Sequence, residues 1–438
     1  MRVKYLFILF FVFAFYSCGK QESKEQVPTI DLSKIYSNTN KVKLSEIASK
    51  IEYIFILSLI LYGCKEETDA NGVSATTYYD VPELPVSTKV TQVKNIELRP
   101  YAIDPEIETS FQGYFWVHAD SLYFSDVRFG YVFSFDANGK VANTYLGKGK
   151  GPNEIIGIES STPTKEGFSV FYGGNNSLHT FDKNWKKLRG DRVDWGFTRK
   201  MEQVIKDPNP SMPESYEFDS GYENIIKNWD EHHVAVALSA SHPKFNGYFD
   251  SELYYNYSRI LALVNTETGK IDEFVGRRSP FYLKHLSLPI FDHFSYEPTQ
   301  DKVYLNFWPD TNIYVLNKET RLAIGKFGKE GRDMNVAYTP TNSYNDATKK
   351  HYDHRKKYGY YKNLKYVPKR DLLFRGYAKG NDASLDGLQI YEKHTLVGDF
   401  DVPRNFEVLG SIGDTIIGFV AYNEEGFQVF KIKLNYEN

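Results

Sequence analysis

Cysteine is nearly absent: the 438-residue chain has two, Cys18 and Cys64, and none after residue 64. Disulfide frameworks and thiolate zinc sites are thereby excluded from everything beyond that point. A charge bias is missing as well. Lys plus Arg total 53 against 56 Asp plus Glu, a formal net charge of -3, so no global field draws the protein to nucleic acid or to an acidic membrane. Any basic function must be local. Two catalytic spacings also fail. Gly147-Lys-Gly-Lys-Gly-Pro152 puts Pro where a phosphate loop needs Gly-Lys-Ser/Thr, with no helix pattern behind it, and reads as a connecting loop. Gly167-Phe-Ser-Val-Phe171 lacks the closing glycine of a hydrolase elbow, and Ser169 sits in strand-like alternation.

What the chain has in quantity is aromatic residues, 16% of the total with 34 Tyr and 31 Phe, the side chains that fill pleated, half-buried sheet surfaces. They fall into six copies of one pattern: a short apolar strand signal, a polar loop, then a second signal ending on Asp, Asn, Glu or Lys. The first runs are Ser121–Phe124, Gly167–Tyr172, His233–Leu238, Lys302–Phe307, Asp371–Phe374 and Asp414–Val420. Their partners end at Phe135-Asp136, Phe181-Asp182, Val264-Asn265, Leu316-Asn317, Tyr391-Glu392 and Phe430-Lys431. Turn chemistry follows in Asp136-Ala-Asn-Gly139, Asp182-Lys-Asn-Trp185, Asn265-Thr-Glu-Thr-Gly269 and Asn317-Lys-Glu-Thr320, then further strand runs such as Val141–Tyr145 and Ile271–Val275. Radial repetition covers both faces of every sheet, so six copies predict an all-β fold, a six-bladed β-propeller. The sixth copy stops with the chain after Phe427–Leu434, and Val90–Leu98, which has no blade of its own, is expected to pair there and close the ring.

The N-terminus carries export chemistry twice. Residues 1–18 have Arg2 and Lys4, twelve apolar residues from Tyr5 to Tyr16, and Ser17-Cys18. That run is short of the roughly 20 residues of a membrane span and reads as a secretory signal. Its ending resembles a bacterial lipobox, whose Cys is acylated. Residues 53–64 repeat the theme, and Cys64-Lys-Glu-Glu67 resembles the acidic export tag of surface-displayed lipoproteins in Bacteroidota. Between them, residues 19–52 resemble the start of another propeller lipoprotein. Two accounts stay open, a fusion of one lipoprotein's start to a neighbouring paralogue and a single native leader with an amphipathic connector. Residues 65–88 have the polar, Pro-containing composition of a linker, leaving 89–438 for the propeller.

From about residue 89 onward the chain resembles the TolB-like six-bladed propeller lipoproteins of Bacteroidota, through Gly147-Lys-Gly-Lys-Gly-Pro-Asn-Glu154 and Trp308-Pro-Asp-Thr-Asn-Ile-Tyr314. The resemblance implies a fold. That family has no defined activity, and these are turn and strand motifs, so no catalytic residue is carried over.

Candidate chemistry is therefore read from side chains alone. His351-Tyr-Asp-His354, His232-His233 and Asp292-His293 supply metal-ligand types but lie far apart in sequence, and solvated loop histidines are the simpler reading. Lys349–Arg370 holds nine Lys or Arg with five tyrosines, which suits an anionic glycan or lipopolysaccharide phosphate, or a surface helix or inter-blade insertion. Rings in Pro243–Tyr257, notably Tyr248, Tyr254, Tyr255 and Tyr257, together with Trp195 and Trp308, either line a ligand face or pack the insertion onto its own blade. The expected protein is an outer-membrane-anchored envelope lipoprotein, held through acylated Cys18 or Cys64, that binds or scaffolds a glycan, peptide or protein partner. It needs no cofactor or metal and does not bind nucleic acid. The alternative is a hydrolase or lyase working on a glycan or peptide at the central mouth of the ring.

Overall fold

The computed structural model describes residues 72–437 apart from 220–224, 241, 250, 285–288, 342 and 421–425. Cys18, Cys64 and both lipobox-like segments lie outside the described residues. Among the described residues, no helix is long and apolar enough to cross a membrane.

Six antiparallel sheets make a six-bladed β-propeller. In chain order the innermost strands of blades 1 to 6 are Gly113–His118, Ser160–Pro163, Lys227–Asn228, Phe294–Pro298, Tyr360–Val367 and Phe406–Ile412. Each of the six sequence pairs forms the second and third strands of a blade, for example Ser121–Asp126 with Tyr131–Phe135 and Leu372–Ala378 with Leu385–Glu392. Blade 3 has a fifth strand, because His233–Ala240 pairs with Tyr216–Phe218 as well as with Lys227–Asn228. Blade 6 is completed from the other end of the chain. Val93–Pro100 lies antiparallel to Gln428–Tyr436 as its outermost strand, with Leu98 opposite Ile432 and Pro100 opposite Phe430. The early segment thus closes the ring as its pattern predicts.

The turns between third and fourth strands work through their Asx side chains. Asp136 Oδ1 accepts from the amides of Asn138 (2.8 Å) and Lys140 (3.0 Å), and Asn317 Oδ1 accepts from Glu319 (2.9 Å) and Thr320 (2.8 Å). Gly139 sits at φ +79° where a Cβ would stand 1.9 Å from Ala102 O, so only glycine fits. The Gly147–Glu154 loop closes on itself: Glu154 Oε2 accepts from Gly151 N at 2.6 Å and fills the space over Gly149. It offers no cradle to a phosphate.

Part of the expected linker is docked onto the propeller. Arg277 Nε donates to Val73 O (3.0 Å), the short helix Ala75–Tyr78 follows, and Tyr79 OH donates to Arg277 O (2.7 Å). Further on, Leu84 N donates to Lys326 O (2.7 Å) and Ser87 N to Thr395 Oγ1 (2.7 Å). Tyr78 and Tyr79 are buried in the largest core cluster, which polar composition alone does not reveal.

Because successive strands reverse direction, second-to-third-strand loops and blade-to-blade connectors leave the ring on one face near the axis. First-to-second-strand loops leave on the other. The first face carries four long excursions: the connector 193–226 between blades 2 and 3 with the helix Met201–Lys206, residues 242–260 within blade 3, the connector 276–293, and the connector 328–359 with the helix Tyr344–Lys357.

Candidate functional site

Innermost strands mix polar residues among apolar ones, as in Tyr360–Val367, and the structure shows where those polar side chains go. A cavity of about 1200 Å³ follows the propeller axis and is walled by these strands and the loops at their ends. Midway, Glu297 of blade 4 is clamped by cations from both neighbouring blades: Lys365 Nζ lies 2.8 Å from Oε1 and Lys227 Nζ 3.1 Å from Oε2. Burial pushes the Glu297 carboxyl up, but the two ammonium groups outweigh it and hold the group below its usual range. Burial lowers Lys227 in turn, against the opposing pull of Glu297. The clamp ties three blades together through their innermost strands.

A second polar group sits on blade 5. The inner strand bulges between Tyr361 and Asn363, making Lys362 an extra residue. Lys362 Nζ donates to Asp386 Oδ2 (2.7 Å) and Asn405 Oδ1 (2.9 Å), while Asn405 N donates to Asp386 Oδ2 (2.7 Å). Asn363 accepts from Gly376 N at 3.2 Å, and its buried Nδ2 has no hydrogen-bond partner among the described residues. A second bulge, between Val408 and Gly410, disturbs the adjoining inner strand of blade 6.

The mouth on the loop-rich face is built from aromatics and a cation. Trp308 stacks on Tyr360 with centroids 4.4 Å apart, His293 lies 4.4 Å from Trp308, and the Arg355 guanidinium sits 4.6 Å above the Trp308 ring. Burial, then Arg355 close by, holds His293 neutral, down to about 3. Behind it, Asp310 is a buried hub that accepts from Tyr314 OH (2.9 Å), Asn312 N (2.9 Å) and Ser279 Oγ, which explains the Trp308–Tyr314 motif as a structural lock. At the opposite mouth, Asp230 lines the cavity and His233 lies between Asp230 (2.9 Å) and Asp272 (3.0 Å). Both ring nitrogens are therefore engaged by carboxylates, so this His–Asp arrangement fixes a turn and presents no base to the axis.

Of the six aromatic candidates, the structure brings one, Trp308, to the cavity wall. Even there its faces are covered by Tyr360, His293 and Arg355, so it positions the arginine. Tyr254 and Tyr255 correct the ligand-face expectation, because both are buried. Tyr254 donates to Asp292 Oδ2 (2.8 Å) beside the Arg278–Asp292 ion pair (2.8 Å), and Tyr255 stacks on Tyr282 at 4.8 Å. They fasten the insertion to the connector between blades 3 and 4. Tyr248 packs edge-on against Tyr344 at 5.7 Å, Tyr257 is half-buried, and Trp195 packs on Phe218 at 4.2 Å, all outside the cavity wall. Two of the three histidine clusters approach each other, His351 lying close enough to His293 to help burial and Arg355 lower its pKa, while His232-His233 sits at the opposite mouth. His354 is buried under its helix, and Asp292 is taken by Arg278. Among the described residues no group of His, Cys, Asp and Glu is arranged to hold a metal. The residues that sequence reasoning missed are Lys227, Glu297, Lys362, Asn363 and Lys365. Only the basic stretch Lys349–Arg370 hinted at them, and it divides into a surface helix and a channel strand.

No family model matches the chain, and no curated protein matches it. A solved member of the DUF4221 family from Bacteroides vulgatus is similar in structure at a TM-score of 0.55 with 12% identity, over 79% of this chain and 99% of that one. A protein described as exported, from Bacteroides fragilis, gives 0.47 with 13% identity over 81% of this chain and 99% of that one. The first likeness supports the propeller fold.

Proposed function

We propose that this protein is a lipid-anchored propeller of the cell envelope, akin to the TolB-like lipoproteins, that holds a polar ligand, a glycan or peptide, in its axial channel. The observation that carries the reading is the inner wall of blade 5, where a bulge sets Lys362 and Asn363 on the channel wall beside the Lys227–Glu297–Lys365 clamp. A channel of about 1200 Å³ has room for several sugar or amino-acid units. The envelope address draws its support from the leader, with an acylated cysteine as the anchor.

Screening the mature full chain against a glycan array and a peptide library tests the binding half. A hit should lose about tenfold or more in affinity in a Lys362→Ala/Asn363→Ala variant that keeps its thermal midpoint. Unchanged affinity sinks the channel assignment. Mass spectrometry of the mature N-terminus tests the anchor: an acylated cysteine supports it, and an unmodified N-terminus removes it.

A further inference from the structure

We infer that the loop-rich cap of the propeller is a docking surface for an anionic phospholipid leaflet, so that the channel mouth lined by Trp308, Tyr360 and Arg355 faces the membrane that holds the anchor. The inference rests on the anchoring reading above, with Cys64 as the acylated residue. Two independent features support it.

The first is where the chain joins the propeller. Val73 is bonded to Arg277 in the connector between blades 3 and 4, and the helix Ala75–Tyr78 packs beside the helix Ser251–Tyr257 of the blade 3 insertion. Ser251–Tyr257 packs in turn on Phe281–Lys284, and Pro289–Phe291 on Tyr344–Lys357. The tether therefore enters among the cap elements. Cys64 is nine residues before Val73, and nine fully extended residues reach about 30 Å at most. An acyl chain at Cys64 would keep the cap within that distance of the bilayer, far less than a long flexible linker permits.

The second is what the cap displays. Phe249, Tyr344 and Tyr352 stand 67%, 68% and 68% exposed, and Tyr248 beside Phe249 touches Tyr344. The helix Tyr344–Lys357 carries five Lys or Arg against two Asp, with Lys356 Nζ 4.5 Å from the Tyr352 ring. Aromatic rings with flanking cations suit the headgroup layer, where the rings sit at the polar boundary and the ammonium groups meet phosphate. A chain with a net charge of -3 that concentrates cations on this helix has the complementary sign where the tether places it.

Orientation can be read directly. The lipidated full-length protein is reconstituted into phosphatidylcholine–phosphatidylglycerol vesicles carrying a nitroxide lipid, with a fluorophore on Tyr352→Cys in the cap or Asn184→Cys on the opposite face. Acylated Cys64 leaves no thiol to compete for the label. The cap label should be quenched several-fold more than the Asn184 label, and added salt or Lys349→Glu/Lys356→Glu should erase the difference while the protein stays on the vesicles. Equal quenching on floating, acylated protein assigns the cap to another partner and overturns the docking inference alone. A chain that fails to float, or whose mature N-terminus is not acylated Cys64, overturns the anchor and the docking with it, and mass spectrometry tells the two failures apart.

Discussion

The second and third strands of each blade and its innermost strand belong to one sheet, yet they obey different rules. Leu372–Ala378 is buried at every position and Leu261–Asn265 at all but its last, because both faces pack on neighbouring blades. Lys227–Asn228 and Tyr360–Val367 turn polar side chains to the axis. Apolar packing between blades supplies the stability, and the axis holds the polar chemistry. The sharpest challenge to this division is a charge buried among the middle strands.

Arg375, in the second strand of blade 5, is fully buried and donates to Asn306 Oδ1 (2.7 Å), Thr311 O (2.7 Å) and Asp310 O (2.6 Å). Its guanidinium also lies against the Tyr361 ring. Removing it in Arg375→Ala orphans three acceptors at the seam between blades 4 and 5. The expected cost is about 4 kcal/mol by denaturant unfolding. A loss below about 1 kcal/mol would mean that the acceptors find other partners and that the seam does not depend on this charge.

Truncation of a wholly apolar middle-strand position comes next. Leu263→Ala, at 1% exposure in blade 3, should cost about 3 kcal/mol through lost burial and a residual cavity. Thr144→Ala on the exposed outermost strand of blade 1 should stay within about 0.5 kcal/mol. Equal effects on thermal midpoints would erase the radial gradient.

The same division decides what could be read without coordinates. Hydrophobic periodicity reports packing, so the six pairs such as Lys302–Phe307 with Ile313–Asn317 were legible, as was the closing strand from its lack of a blade. Innermost strands such as Ser160–Pro163 and Lys227–Asn228 have no apolar alternation, because one side faces a channel, and they were invisible. The site was lost with them. Aromatic content pointed to Tyr254 and Tyr255, but a ring that can stack on a ligand can equally seal a core, and only position along the radius separates the two roles. Likewise Tyr78 and Tyr79 anchor a stretch whose average composition is that of a tether.

At the axis the comparison predicts smaller losses with a pH signature. Glu297→Gln keeps the shape but leaves Lys227 and Lys365 facing each other, and should cost about 2 kcal/mol at neutral pH. Glu297 has its carboxyl held below the ordinary value of 4.5, so its contribution is complete above that value and disappears as pH falls through the lower folded-state pKa. The gap between the native chain and the variant should therefore be widest near neutrality and close in acid. A gap that persists unchanged down to pH well below 4.5 would show that the carboxylate charge is not what clamps the blades.

The smaller of the two expected losses at the axis is also the more telling. Lys362→Met removes one cation from the blade 5 bulge, but Asp386 keeps the Asn405 amide at 2.7 Å, so the loss should be about 1 kcal/mol or less. Lys362 exists as an extra residue only because the strand bulges, and a bulge interrupts the ladder that a plain strand would complete. If the bulge served packing alone, the methionine variant would match the native chain in every assay of a bound ligand. If it serves the channel, ligand affinity measured by calorimetry should fall about tenfold while the thermal midpoint barely moves. A large drop in midpoint with unchanged affinity would reverse the assignment and make the innermost strands part of the frame, no different in kind from the strands beside them.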